Sequence, residues 1–271
     1  MCDVFGNEDA TDKFVTRYLQ TTHCDLFFAD AAILVEGSAE NMLVPHFIRN
    51  HYKELNQRYI SMLSISGRHS HRFSPLIGKL CLPTLVITDV DSAQPDGNHE
   101  SARPERDKGL ISSNYAITGW LVKENSLDKL YDLPEASKVQ TFSSPYEHKI
   151  RIAYQTPIIF EYNDNEVAEA LPRTFEDSVV YTNFELLKAV QVEDDDIGSL
   201  VKKIQIEINT SPSFEELHKA IYDLLRKGRS DQKAEFALDL IFVIDPSKLT
   251  VPAYIANGLE WLQNLLRPEE L

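Results

Sequence analysis

The 271-residue sequence predicts an α/β fold, in which a mainly parallel sheet is flanked by helices and joined by an additional, mostly helical subdomain. Short apolar runs bounded by turn-forming residues alternate with stretches of helical length in the first half of the chain, which is typical of buried strands and crossover helices. After about position 173 the apolar residues mostly recur with helical spacing. Since parallel strands require crossover connections, this order of elements indicates a parallel sheet.

The elements of the first half follow one another in a regular order. Residues 1–30 are expected to form a helical lead-in, because the stretch DKFVTRYLQ is amphipathic. A first strand around Ile33 leads into a helix that runs through Tyr52. A second strand at Tyr59–Ser66 precedes a short helix in FSPLIGKLC. The third strand, Leu82–Asp91, contains a proline near its start, a position at which strands tolerate proline.

The second half begins with a long polar loop, Ser92–Lys108, and loops of this length in compact domains are functional or disordered. A helix capped by Ser113 or Asn114 is expected next. Further strands are predicted in KVQTF and in Ile150–Phe160, and four helical segments follow. We therefore divide the chain into the lead-in, an α/β domain over residues 31–172 and a helical subdomain over residues 173–271.

The composition argues against a membrane-spanning or secreted protein and against a generic nucleic-acid-binding module. No segment approaches the length of apolar sequence that a membrane span needs, and the N-terminus lacks the basic and apolar regions of a signal peptide. The three cysteines, Cys2, Cys24 and Cys81, are scattered and lack zinc-ligand spacing, which fits a reducing cytoplasm. The net charge of −15 argues against a generic nucleic-acid-binding module. An enzyme whose acidic site is neutralised by divalent cations remains compatible with it.

Three local basic clusters interrupt this acidic background: Gly67–Phe73 (GRHSHRF), Arg103–Lys108 (RPERDK) and Leu224–Arg229 (LLRKGR). Such clusters are more commonly solvated surface than phosphate contacts. Arg68 and Arg72 in the first cluster are nevertheless candidates for contact with a DNA backbone.

Four carboxylates are expected to meet at one edge of the sheet. Glu36 ends the first strand, Gly37 permits a sharp turn, and Glu40 lies one helical turn later. Asp89 and Asp91 lie at the end of the third strand, where strand alternation would direct both to the same side. The carboxyl ends of neighbouring parallel strands share one crevice, in which ligands bind.

Such a group of like charges needs a counter-ion. Oxygen ligands without cysteine suit Mg²⁺, Mn²⁺ or Ca²⁺ better than zinc. Taken singly, an acidic residue at a strand end is usually a helix cap or a surface charge, and an Asp-x-Asp pair is a weak motif. The combination of both patterns favours a metal site.

The segments LVEGSAE and VITDVD resemble the Toprim domain shared by topoisomerases, primases, recombination proteins and certain nucleases. More narrowly, FFADAAILVEGSAENMLVPHF is similar to the Toprim region of the OLD (overcoming lysogenization defect) family of ATP-dependent endonucleases. Five later segments extend this resemblance over Leu26–Leu262: ISSNYAITGWL, IRIAYQTP, RTFEDSVV, KAEFALDLI and VPAYIANGLEWL. The resemblance implies a Toprim-type fold and metal-dependent DNA cleavage.

The resemblance also implies partners and cofactors. OLD proteins carry an ATPase domain before the Toprim nuclease domain, yet this chain has no G-x-x-x-x-G-K-[ST] loop to hold a nucleotide phosphate. We therefore expect a C-terminal region of a longer protein, whose full-length form includes the ATPase domain and could be a homo-oligomer. Two Mg²⁺ or Mn²⁺ ions are the expected cofactors, with Ca²⁺ able to bind without supporting turnover.

The expected roles follow from cleavage by two metal ions. We assign Glu36 as the central metal ligand and as the group that orients or deprotonates the attacking water. Asp89 and Asp91 would hold one ion with Glu36, and Glu40 would help to hold the second. The segment RTFED is the best source of a further ligand, with Glu176 favoured over Asp177.

Two basic residues complete the predicted site. Lys233 matches a lysine of the family segment, and its expected role is to stabilise charge on the transition-state phosphate. Arg173 would either contact DNA or pair with a neighbouring carboxylate. Without the resemblance, Lys233 would be an ordinary exposed helix lysine, and Glu176 a first-turn acid favoured by the helix dipole.

Three alternative functions stay open. A Toprim fold can serve as a non-cleaving DNA- or protein-binding module in a recombination or repair assembly, although a pure binder has no need of crowded carboxylates. A topoisomerase would use a tyrosine nucleophile, and none of the eleven tyrosines stands out. A primase-like role is weakened by the lack of zinc-binding cysteines.

Overall fold

The structure is a computed structural model that describes residues 24–65, 67–144, 146–163, 166–190, 199–227 and 230–267. The amphipathic stretch of the predicted lead-in lies outside these ranges. Nine strands are described: β1 Ala31–Val35, β2 Ile60–Ser64, β3 Thr84–Ile87, β4 Ser92–Ala93, β5 Ile111–Ser112, β6 Val139–Phe142, β7 His148–Ala153, β8 Ile158–Asn163 and β9 Glu166–Ala170.

The helices of the described ranges are α1 Ser38–His51, α2 Ser74–Leu80, α3 Leu127–Tyr131, α4 Phe175–Thr182, α5 Phe184–Ala189, α6 Ser199–Thr210, α7 Phe214–Lys227, α8 Ser230–Val243 and α9 Ala253–Leu265. A π-helical segment, Ala116–Leu121, precedes α3, and short 3-10 turns occupy several connections. No helix within the described ranges is long and apolar enough to cross a membrane.

Five strands form the central sheet in the order β2-β1-β3-β7-β6. The pairs β2–β1, β1–β3 and β3–β7 are parallel, and β6 is antiparallel to β7 at the edge. In this register Leu34 of β1 lies between Leu63 of β2 and Val86 of β3. The hairpins β4–β5 and β8–β9 are separate two-stranded sheets. The predicted α/β class with a mainly parallel sheet is thus confirmed.

Helices cover both faces of the sheet. On one face, Ile33 and Leu85 pack in a core with residues of α1 and of α4 to α9. On the other, Leu34 and Ile152 pack against α2, the π-helical segment and α3. Because side chains alternate along each strand, the central strands are apolar on both sides, which is the composition of a buried parallel sheet. Because helices cover both faces of the sheet, a ligand can approach it at the ends of the strands.

Helix α9 approaches the sheet very closely at Gly258. A Cβ atom at this position would lie 2.8 Å from Cδ1 of Leu85 and 3.5 Å from Cβ of Ala153. A side chain there would therefore push the helix away from β3 and β7. The C-terminal helices and the sheet share one core through this contact. The predicted division into domains at positions 172 and 173 stays a prediction.

The third strand is shorter than predicted, because the backbone leaves the sheet before the acidic residues. β3 ends at Ile87. The backbone N–H of Asp89 donates to Glu36 Oε1 at 3.0 Å, and that of Val90 donates to Gln155 Oε1 at 2.6 Å. Asp91 adopts a left-handed backbone with φ 48°. The expectation that strand alternation directs Asp89 and Asp91 to one side is therefore wrong.

The predicted loop Ser92–Lys108 also contains regular structure. Its first two residues form β4, which pairs with β5 in the register Ser92 to Ser112. The helix predicted with Ser113 or Asn114 as its cap is the π-helical segment that begins at Ala116, after β5. Asn114 supports this start, since its Oδ1 accepts the backbone N–H of Ala116 at 2.9 Å.

Candidate active site

Glu36 lies directly after β1, at the carboxyl edge of the sheet, and is held by one of its two oxygens. Its Oε1 accepts hydrogen bonds from the Thr88 hydroxyl, from the Asp89 backbone N–H at 3.0 Å and from Asn114 Nδ2 at 2.7 Å. Burial and the nearby charge of Asp91 outweigh these bonds and raise the pKa of Glu36 to about 7. The anchored Oε1 fixes where the carboxyl group lies.

Asp89 is also held by one of its two oxygens, through donors that follow β7 and begin α4. Its Oδ1 accepts Gln155 Nε2 at 2.9 Å and the backbone N–H of Phe175, at the start of α4, also at 2.9 Å. Gln155 in turn lies 3.3 Å from the hydroxyl of Tyr254 on α9. Burial, followed by repulsion from Glu36, raises the pKa of Asp89 well above its ordinary value.

Glu40 is more deeply buried than Glu36, with 4% of its surface exposed. It lies in the first turn of α1, where the helix dipole favours a negative charge. Burial nevertheless raises its pKa to about 8, and the charges of Glu176 and Glu36 add to this effect while Lys233 opposes it. A cation placed beside Glu40 would relieve this penalty.

Glu176 and Lys233 form an ion pair between α4 and α8. Lys233 Nζ donates to Glu176 Oε2 at 2.9 Å, and the Thr174 hydroxyl donates to the same oxygen at 2.8 Å. Burial alone would lower the pKa of Lys233, but attraction to Glu176 and Asp89 outweighs it and raises the pKa. The lysine therefore keeps its positive charge beside the carboxyl groups at neutral pH.

Asp91 and Arg173 form the second ion pair of the site. Arg173 Nη2 donates to Asp91 Oδ1 at 2.8 Å, and its Nε donates to the carbonyl of Ser92 at 3.3 Å. Of the two roles predicted for Arg173, the structure has the pairing with a carboxylate. Its contact with DNA stays a prediction.

Asp177 caps helix α4 rather than facing the other acids with a free carboxylate. Its Oδ2 accepts the backbone N–H of Arg173 and its Oδ1 that of Thr174, each at 2.7 Å, which completes a capping box. Burial still raises the pKa of Asp177 to about 7 despite these bonds. Since both oxygens are occupied, a structural role is the simplest reading of Asp177.

The remaining predicted DNA contacts lie in the 3-10 segment Gly67–Phe73. The side chain of Arg68 lies outside the described part of the structure. Arg72 is partly buried and already has an interaction partner. Contact of either residue with DNA stays a prediction.

The described ranges contain no group of three or more histidine, cysteine, aspartate or glutamate side chains arranged so that it could hold a metal ion. Metal binding by the predicted acids stays a prediction. Asp91 is directed to Arg173, and Glu176 to Lys233. The structure does place Glu36, Glu40, Asp89, Asp91 and Glu176 near enough for mutual electrostatic effects, and we call these five acids the carboxyl cluster.

Four polar residues that organise the carboxyl cluster escaped prediction: Thr88, Asn114, Gln155 and Tyr254. Asn114 Nδ2 also donates to the Thr88 hydroxyl at 2.9 Å and to the Asp89 carbonyl at 2.8 Å, so this side chain joins the ends of β1 and β3. Single uncharged residues of this kind form no pattern in a sequence. The positions of Thr88 and Gln155 just after the ends of β3 and β7, at the same sheet edge, are the signal that could have suggested a role.

Comparison with known proteins identifies relatives of the chain. The chain is 28% identical to endonuclease GajA of Bacillus cereus (strain HuB5-5) over 267 residues. This alignment covers 95% of the chain and 35% of GajA. The chain thus spans about a third of the length of that relative. The C-terminal region of the Burkholderia pseudomallei OLD protein is similar over 89% of this chain and all of that one, with 19% identity and a TM-score of 0.44.

The C-terminal region of the Xanthomonas campestris pv. campestris OLD protein is similar over 88% of this chain and 97% of that one, with 18% identity and a TM-score of 0.45. A further match is to a family. Residues 27–91, which include β1, α1, β3 and four acids of the carboxyl cluster, match the family described as overcoming lysogenization defect protein-like, TOPRIM domain. Over these residues the chain matches the OLD-like Toprim family, in agreement with the resemblance that the sequence predicts.

Proposed function

We propose that this chain is the catalytic region of a metal-dependent DNA endonuclease. The Toprim domain and the relation to an endonuclease support a nuclease-type function. The observation that carries the proposal is the convergence of five acids with Lys233 at the carboxyl edge of a parallel sheet. The raised pKa values of Glu36, Glu40 and Asp89 mean that this arrangement is electrostatically costly without a cation.

The donor chemistry of the carboxyl cluster fits hard divalent ions such as Mg²⁺ and Mn²⁺, since every candidate ligand is a carboxylate oxygen. All the hydrogen bonds described above for Glu36 reach Oε1, and those for Asp89 reach Oδ1, so each acid has a second oxygen to offer. We propose two ions, one held by Glu36, Asp89 and Asp91, the other by Glu40 and Glu176. Asp91 would have to exchange Arg173 for the cation.

Two bound ions supply an activated water, stabilisation of charge on the phosphate and assistance to the leaving oxygen. The protein would contribute positioning and charge. Glu36, fixed by three donors, would orient the attacking water or accept its proton. Lys233, held charged beside Glu176, would stabilise negative charge on the phosphate oxygens.

The context of the full-length protein is also proposed. Because the chain spans about a third of the length of GajA, we propose that an ATPase domain and oligomer contacts lie in the rest of a longer, cytoplasmic protein. The acidic net charge implies that DNA affinity comes from that portion or from local basic surfaces.

Cleavage of supercoiled plasmid by this chain tests the proposal, with Mg²⁺, Mn²⁺, Ca²⁺ or EDTA. The variant Glu36→Gln removes the central charge, and Glu185→Gln, at an exposed position of α5, is the matched control. Metal-dependent nicking that is lost in the first variant and kept in the second supports the nuclease. Intact plasmid in every metal would favour a non-cleaving binding module instead.

The same reactions separate the other enzymatic alternatives. Products with free ends indicate hydrolysis, whereas a covalent protein–DNA adduct would indicate a topoisomerase, and incorporation of nucleotides a primase. Cleavage that survives in Glu36→Gln would mean that the activity comes from a contaminant or from another site.

A further inference from the structure

A polar cavity lies between the segment that follows β4 and helix α7. Its volume is about 530 Å³, and its lining includes Arg103 and Lys108 from the first element and Tyr222 and Arg226 from the second. Two of the three basic clusters noted in the sequence, RPERDK and LLRKGR, thus contribute to one cavity. The proposed chemistry of the carboxyl cluster uses none of these residues.

The cavity is a local exception to the acidic character of the chain. Arg103, Lys108 and Arg226 supply three positive charges to the lining. Glu100 and Glu105 of the lining and Glu215, which pairs with Arg103, supply three negative ones, so the charges balance here in a chain of net charge −15. Across the described ranges, neither Lys108 nor Arg226 takes part in an ion pair. Both side chains are exposed. Their charges are therefore available to an anion.

Arg103 holds the cavity wall in place. Its guanidinium donates to Glu105 Oε1 at 2.9 Å, to the Glu215 carbonyl at 3.3 Å and to the Glu215 carboxylate. The hydroxyl groups of Ser101 and Tyr222 form a hydrogen bond of 3.1 Å across the cavity walls. These contacts join the segment after β4 to α7, so that Lys108 and Arg226 project from ordered walls.

One backbone carbonyl links the cavity wall to Arg173, the ion-pair partner of Asp91. The Ser92 carbonyl accepts the backbone N–H of Ala102, a residue of the cavity wall, at 3.0 Å, and Nε of Arg173 at 3.3 Å. Gln94, which also lines the cavity, is three residues from Asp91 in sequence, so their Cα atoms are at most about 11 Å apart. This maximum distance corresponds to about three nucleotides of one strand, measured along the axis of a DNA duplex.

We propose that this cavity binds a backbone phosphate of the DNA a few nucleotides from the bond that is cut, with Lys108 and Arg226 as its charged contacts. The proposal rests on the proposed function, because a DNA substrate is itself part of that proposal. Contacts with phosphate fix the position of a protein on DNA without reading its sequence. The cavity would thereby place the strand relative to the carboxyl cluster.

The test compares wild-type protein with the double variant Lys108→Gln and Arg226→Gln. The control is Lys53→Gln with Arg58→Gln, which removes the same charge after the end of α1 and before β2, at the opposite end of the parallel strands. Binding to a labelled DNA duplex is measured in EDTA and in Ca²⁺, neither of which requires cleavage. The binding result can therefore be interpreted even if the protein does not cleave DNA. Thermal melts establish that both double variants fold.

Each lost phosphate contact lowers the salt dependence of binding by a known amount. Between roughly 50 and 200 mM salt, one contact with duplex DNA accounts for about a 3.5-fold loss of affinity. Because Lys108 and Arg226 contact the same phosphate, the loss measured for the cavity variant should be about 3.5-fold smaller than that for wild-type protein. Its affinity at the lower salt concentration should fall, whereas the control variant should keep the wild-type affinity and slope.

Three results would overturn the proposal. They are a cavity variant with wild-type affinity and slope, an equal effect of the cavity and control variants, and no DNA binding by wild-type protein. A parallel titration with inorganic phosphate and with ATP identifies the source of the anion. Loss of ATP binding in the cavity variant, with unchanged DNA binding, would assign the cavity to a free nucleotide and contradict the DNA contact.

Discussion

Replacing Glu40 by glutamine should make the protein more stable at neutral pH in the absence of divalent metal. The Glu40 carboxyl group is almost fully buried and its pKa is raised from 4.5 to about 8, with burial as the main cause. In the folded protein this group therefore binds its proton more tightly than in the unfolded chain. Stability contributed by Glu40 is greatest below about pH 4.5 and falls as the pH rises towards 8.

The size of the effect follows from the shift in pKa. One pKa unit corresponds to about 1.4 kcal/mol, so the cost to the folded state grows from near zero at pH 4.5 to about 3 kcal/mol at pH 7. Glutamine carries no ionisable group and avoids this cost. The advantage of Glu40→Gln over wild-type protein should therefore increase by about 3 kcal/mol across that range.

Chemical denaturation in EDTA at several pH values measures this difference, with Glu185→Gln as the exposed control. Addition of Mn²⁺ should stabilise wild-type protein more than Glu40→Gln, because a cation offsets the repulsion among the acids. Curves of unfolding free energy against pH that run parallel for wild-type protein and Glu40→Gln would refute the electrostatic reasoning.

Three further substitutions test the positions of individual groups. Gly37→Ala places a Cβ about 3.0 Å from Glu40 Oε2, so it should displace that carboxylate and reduce plasmid nicking at least tenfold, with little change in the thermal melt. Asp177→Ala should lower the free energy of unfolding by about 1–3 kcal/mol while the folded variant still nicks plasmid; loss of nicking would make Asp177 part of the metal site. Gly258→Ala, whose Cβ would meet Leu85 at 2.8 Å, should destabilise the protein by about 1–3 kcal/mol in urea denaturation, and an unchanged midpoint would contradict the close packing of α9.

The parallel sheet was predictable because its strands are apolar on both faces, as the run Ala31–Val35 illustrates. The convergence of Glu36 and Asp89 followed from the rule that the carboxyl ends of neighbouring parallel strands share one edge. Contributions from α4 and α8 depended on the resemblance of their sequences to OLD proteins, since local patterns do not specify which distant helices pack at that edge.

The geometry of individual side chains was beyond prediction, for physical reasons that the structure makes clear. β3 ends early because N–H groups after it donate to Glu36 and Gln155, and those partners are 53 and 65 residues distant in sequence. Strand alternation therefore fails at Asp91, whose left-handed backbone directs it to Arg173. Long-range hydrogen bonds of this kind override the local period.

Binding of Mn²⁺ to the purified chain, measured by calorimetry at neutral pH, tests the central claim most directly. Wild-type protein should bind two ions with release of protons, because the raised pKa values of Glu36 and Glu40 leave protons to be displaced. Glu36→Gln combined with Asp89→Asn should abolish binding of at least one ion, while Glu185→Gln should bind as wild type does. Unchanged Mn²⁺ binding in the double variant would contradict the assignment of the carboxyl cluster as a metal site.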